Sequence, residues 1–125
     1  MVQTHCHQHA VMSFDADRAL LERSGVEVDV LDSGCCGLAG NFGFERGHYD
    51  VSIACAERVL LPAVRNADPR TVLLADGFSC RTQVEQARVG RRGVHLAELI
   101  AGALRDTRAA APTEPARQHQ PRSEP

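Results

Sequence analysis

Apolar and polar positions alternate in period along this chain, and the period changes tell where elements begin and end. Val26, Val28 and Val30 alternate with Glu27 and Asp29, a strand pattern over Val26–Leu31. A short apolar start at Met1–Thr4 and the run Val72-Leu73-Leu74-Ala75 predict two further strands. Between them, Phe14–Ser24 carries Phe14, Ala16, Ala19, Leu20 and Leu21 at helical spacing and ends at Gly25. A long helix is predicted over His48–Asn66, with Val51, Ala54, Cys55, Val59 and Ala63 on one stripe and Pro62 bending or shortening it. Asp68-Pro69 makes a turn, and two more helices are expected over Cys80–Val89 and His95–Leu104. Strands alternating with helices predict an α/β fold: a small three-layer domain with a short parallel sheet flanked by helices.

From about Thr107 the pattern stops. The remaining residues are mainly Ala, Pro, Arg, Glu, Gln and Ser, with no large apolar side chain, so a disordered tail is expected over 107–125 beyond a folded unit at 1–106. At 125 residues one modest core is expected. A net charge of −2, scattered arginines and no tryptophan argue against a nucleic-acid surface. No apolar run reaches the ~20 residues of a membrane span and no signal peptide opens the chain, so the expected location is the cytoplasm, where thiols stay reduced.

Chemistry concentrates around Cys35-Cys36-Gly37, inside a segment with glycine at every third position: Gly34, Gly37, Gly40 and Gly43. Neighbouring cysteines across one trans peptide are poorly spaced for a mutual disulfide, so the pair reads as ligands or redox groups. The glycines serve either a turn needing positive φ or a backbone that comes close to a bound group and aims amides at its sulfurs; the second is preferred here. A phosphate-binding loop fits less well, since no Lys-Ser/Thr follows. The predicted strands end just before Cys6, just before Cys35 and Cys36, and just before Cys80. In an open parallel sheet those loops meet at one crevice, so four thiols far apart in sequence can converge. Cys55 is expected to be a small buried apolar residue of the long helix. His5, His7 and His9 flank Cys6; a supporting role is expected, with His7 orienting the site, and His48 and His95 read as ordinary helix-terminus residues.

Cys6, then 28 residues, then Cys35-Cys36-Gly37-x-x-Gly40, then Asp76-Gly77-Phe78-Ser79-Cys80, resembles the cysteine-rich CCG domain. That domain occurs in heterodisulfide reductases, in iron–sulfur subunits of glycolate and lactate oxidation, and at the C-terminal end of FAD-linked oxidases, the nearest likeness. The resemblance implies metal ligation by Cys6, Cys35, Cys36 and Cys80, with Gly34, Gly37, Gly40 and His7 around the bound group. The implied cofactor is a four-iron iron–sulfur cluster, or zinc as the alternative, and FAD would reside on a partner dehydrogenase subunit or domain. The implied role is an electron-transfer module serving a 2-hydroxy-acid dehydrogenase; a structural zinc–thiolate domain and a truncated, inactive fragment of such an oxidase are the alternatives. The chain departs from the family pattern where its last Cys-x-x-Cys carries Gly77 in place of the first cysteine. Neither an FAD domain nor a ferredoxin-like segment precedes this domain, which leads to the expectation of a split subunit or a fragment.

Overall fold

The computed structural model describes residues 1–110, with side chains through Thr107; most of the tail expected to be disordered, 111–125, lies outside the described residues. The elements are helix α1 (Asp15–Arg23), helices α2 (Tyr49–Glu57) and α3 (Leu60–Asn66), strand β1 (Leu73–Leu74), helix α4 (Phe78–Gln86), strand β2 (Gly93–Val94) and helix α5 (Leu96–Ala110). The last helix runs past the boundary expected at 106.

The sheet is short and wholly parallel. β1 pairs with β2 (Leu73 opposite Gly93, Leu74 opposite Val94), and Val2 bridges Leu74 on one side and Val30 on the other. The order across the sheet is therefore Val30, Val2, β1, β2. Gln3 N–H donates to the Leu74 carbonyl at 2.9 Å and Leu31 N–H to the Val2 carbonyl at 2.9 Å, continuing the ladder. Two expected strands thus shrink to single bridging residues, and β2 is a strand that the apolar pattern does not announce. The Val26–Leu31 alternation fails as a strand for a local reason. Gly25, at φ +78°, ends α1 with its N–H on the Glu22 carbonyl, and Val26 N–H returns to the Leu21 carbonyl. This closing motif spends the start of the segment on satisfying the helix's last carbonyls.

Side chains alternate across the sheet as the pleat requires. Leu73 and Ala75 face a core with Leu60, Leu61, Val64 and Val84 from α3 and α4. Val2 and Leu74 face the opposite core with Leu21 of α1 and Leu96 of α5. Helices cover both faces, which is the predicted three-layer arrangement. Among the described residues no helix is long and apolar enough to cross a membrane.

The expected long helix is two helices. The break falls at Arg58–Val59, where Val59 has φ −143° and ψ −51°. Pro62 is the cause: in an uninterrupted helix its ring would collide with the carbonyl four residues back, that of Arg58. In the first turn of α3 its missing N–H costs nothing. The expected buried stripe is also corrected. Val51 is 55% exposed and Ala54 is exposed, whereas Ser52 and Ala56 are the buried positions of α2. Apolar content misleads here because α2 is seated by polar contacts through Ser52. With this face inward, Ala56→Leu is expected to cost about 1–3 kcal/mol through overpacking, while Val51→Ser stays within about 0.5 kcal/mol, both read from denaturant midpoints.

Candidate metal centre

The strand order reverses at Val2 and β1. The chain leaves Val2 for Val30 by way of α1 on one face, then crosses by α2 and α3 on the other to reach β1. Ligand crevices form at such a switch point, beyond the carboxyl ends of the strands. There the structure holds a cavity of about 360 Å³ built by three segments: His5, Cys6 and His7; Cys35, Cys36 and Ala39; and Gly77 to Cys80 at the start of α4.

All four predicted thiols line it, with Cys6 beside Cys35 and Cys36 beside Cys80. Cys6 and Cys35 are exposed at the mouth, and Cys36 and Cys80, 3% and 2% exposed, form the floor. The Cys80 thiol donates to the Cys36 sulfur and brings the Cys36 pKa down to about 6, against the opposing effect of burial; Leu38 and Ala39 N–H groups reinforce the lowering. The Cys80 thiol is correspondingly pushed far up, first by its bond to Cys36 and then by burial. Burial also raises Cys6, with Cys35 beside it. Within the inner pair Cys36 is thus the sulfur that gives up its proton more readily, and Cys80 the one that keeps it. Among the described residues no three His, Cys, Asp or Glu side chains already converge at the spacing of one metal ion.

The loop that carries Cys35 and Cys36 is shaped by close approach. A Cβ on Gly37 would fall deep inside the Ser52 carbonyl, and one on Gly43 inside the Ser52 hydroxyl. Leu38, buried between them, anchors the loop in the core. Gly37 has φ +90°, Ala39 +47° and Gly40 +73°. These left-handed residues turn successive amides toward one side. Gly37 N–H reaches the Cys35 sulfur at 3.3 Å, and the Leu38 and Ala39 amides lower the Cys36 pKa. Gly40 N–H goes instead to the Ser79 hydroxyl at 3.0 Å, and the Gly34 carbonyl accepts from Gln3. The amide donors are thus supplied by Gly37 and by two residues that the glycine spacing does not single out.

Residues 6–12 wind into a helical turn, π-helical over Gln8–Met12, so His5, His7 and His9 do not share a strand face. His5 and His7 both line the cavity, with rings parallel at 6.4 Å, while His9 lies in a separate depression beside Phe14. His5, rather than His7, abuts the end of the motif. A Cβ on Gly77 would lie 2.7 Å from the His5 Cβ and 3.2 Å from the Cys80 sulfur. Asp76 is structural: its carboxylate accepts the Leu96 N–H at 2.7 Å and caps α5. His48 and His95 stand just before α2 and α5, as expected, and His48 stacks on Phe42 at 4.3 Å. Cys55 does not line the cavity; it is half-buried beneath Gly37, a correction to its expected place in the core. Cys36, Leu38 and Ser52 occupy the interior expected for Cys55.

Comparison with known proteins gives partial matches. The chain is 35% identical over 68 residues to D-2-hydroxyglutarate dehydrogenase of Escherichia coli K12, covering 54% of this chain and 7% of that protein. It is 34% identical over 82 residues to the C subunit of anaerobic glycerol-3-phosphate dehydrogenase of the same organism, covering 64% of this chain and 19% of that protein. A D-2-hydroxyglutarate dehydrogenase of Pantoea ananatis matches at 35% over 69 residues. The chain is thus similar to segments of dehydrogenases and spans under a fifth of their length. No family model and no solved structure matches.

The two roles of the loop glycines separate by mutation. Gly37→Ala, which meets both the left-handed φ and the Ser52 carbonyl, is expected to cost about 3 kcal/mol or more. Gly40→Ala, left-handed but facing open space, is expected to cost about 1–2 kcal/mol. Equal losses in urea melts would refute the close-approach account.

Proposed function

We propose that this chain is an electron-transfer module in which Cys6, Cys35, Cys36 and Cys80 hold an iron–sulfur cluster, working with a flavin-containing dehydrogenase of small 2-hydroxy acids. The observation that carries the reading is the convergence of four thiols from three segments on one cavity, with the Gly37 amide donating to the Cys35 sulfur. Four thiolates suit a four-iron cluster, whose potential is set by burial and by hydrogen bonds to sulfur. Two thiol pairs around a cavity of about 360 Å³ leave room for a body of several metal atoms. A single zinc ion, also content with four thiolates, would have to draw both pairs to about 2.3 Å from one point. The similarity to dehydrogenase segments supports the partner class. Such a cluster would accept and pass single electrons; this chain's part is to hold it, exclude water from its inner edge and offset its charge with amides. FAD would remain on the partner, and Gly34, Gly37, Gly40 and His7 would contribute loop shape and surroundings rather than bonds to metal. The cytoplasm is the compartment this thiol chemistry favours.

Purified and reconstituted without oxygen with iron and sulfide, the chain is expected to be brown and to hold about four irons. Cys36→Ser is expected to lose the colour with the fold retained by circular dichroism. A colourless protein with one tightly held zinc overturns the cluster in favour of a structural zinc–thiolate domain.

A further inference from the structure

Two buried glutamines occupy corresponding places beneath the two thiol pairs. Gln3 is 1% exposed and lies three residues before Cys6. Its amide N–H groups donate to the Thr4 carbonyl at 2.9 Å and the Gly34 carbonyl at 3.3 Å, and its carbonyl accepts from the Ser33 hydroxyl. It therefore ties the backbone leading into Cys6 to the backbone leading into Cys35. Gln83 is 3% exposed and stands one turn after Cys80 on α4. Its amide donates to the Ser52 carbonyl at 3.2 Å and the Ser52 hydroxyl at 3.0 Å. Ser52 is the seat on which Gly37 and Gly43 rest, so Gln83 ties the helix of Cys80 to the loop of Cys36. Leucine would fill either volume without the cost of burying an amide. Each amide instead fixes one spacing between two segments, as a hydrogen-bonded buried polar group can.

We infer that Gln3 and Gln83 are positioning residues with divided duties, Gln3 setting the outer pair Cys6–Cys35 and Gln83 the inner pair Cys36–Cys80. The assignment concerns the same site as the function proposed above but needs no metal, so it can be tested apart from it.

The test uses the reduced, metal-free full chain and diamide, which takes up the two electrons and two protons released as each disulfide forms. Linked peptides are fragmented to identify the pairing over time. The unaltered chain is expected to form Cys6–Cys35 and Cys36–Cys80. Gln3→Leu is expected to slow Cys6–Cys35 about tenfold, the effect of about one strong hydrogen bond, with Cys36–Cys80 unchanged. Gln83→Leu is expected to do the reverse. Ser33→Ala and Ser52→Ala, which remove one partner with little change of volume, keep the test open should either leucine variant fail to fold, and are expected to show the same selectivity more weakly. Equal slowing of both pairs in every variant, or no slowing, overturns the assignment. Iron uptake by the same variants is measured separately: an unaltered chain that takes up no iron while keeping the crosslinking pattern sinks the proposed cluster and leaves the positioning roles standing.

Discussion

The contact on which the thiol site depends is the seating of the Gly37 backbone on the Ser52 carbonyl. Only a residue without a side chain can come so near, and the approach fixes the Cys35–Gly43 loop against α2. Everything at the inner end of the cavity follows from it. With Gly37 seated, Leu38 drops into the core, the amides of Leu38 and Ala39 lower the Cys36 pKa, and Cys36 faces inward while Cys35 faces solvent. Ser52 also receives Gln83 from α4, so the same serine relates the loop to the helix that bears Cys80. A second tie, from Gly40 N–H to the Ser79 hydroxyl, locks the loop to the first turn of that helix.

Much of this is legible in the order of residues alone. The layer order and the convergence of Cys6, Cys35, Cys36 and Cys80 follow from strand-helix alternation, because loops at the carboxyl ends of parallel strands must meet. Helix α1 ends at the predicted glycine. What escapes such a reading is set by tertiary contacts. Val2 and Val30 pair for one residue each, because neighbouring segments are spent on closing α1 and on leading into the thiol loops. The buried face of α2 turns on Ser52, a residue that hydropathy places outside. The histidine segment winds into a turn because the His5 carbonyl accepts the His9 N–H at 2.9 Å and Gln8 reaches Asp17 at 3.2 Å. A pattern of side chains cannot announce a helix held by one buried glutamine.

Gly77 illustrates how neighbours decide what a position can carry. Its backbone, φ −66° and ψ 124°, is open to any residue. The obstacle to a side chain is His5, whose Cβ stands 2.7 Å from where a Cβ would be. A side chain at position 77 would require His5 to withdraw, so the imidazole of His5, and not a residue at 77, forms that wall of the cavity. His5 accepts the Gln8 N–H on Nδ1 at 3.2 Å, which holds its ring against the cavity wall.

The charge at the site completes the physical picture. Four thiols cannot all ionise in one half-buried cavity; Cys36 gains charge at the expense of Cys80, and Cys6 is held protonated by burial and its neighbours. The guanidinium of Arg81 on α4 is spent on the carbonyls of Ala75 and Asp76, both at 2.9 Å. Offsetting charge at the inner pair therefore comes from amide dipoles and from the proton that Cys80 keeps. A soft cation or cationic cluster would replace the thiol protons, and the work of expelling them is set against the metal–sulfur bonds formed.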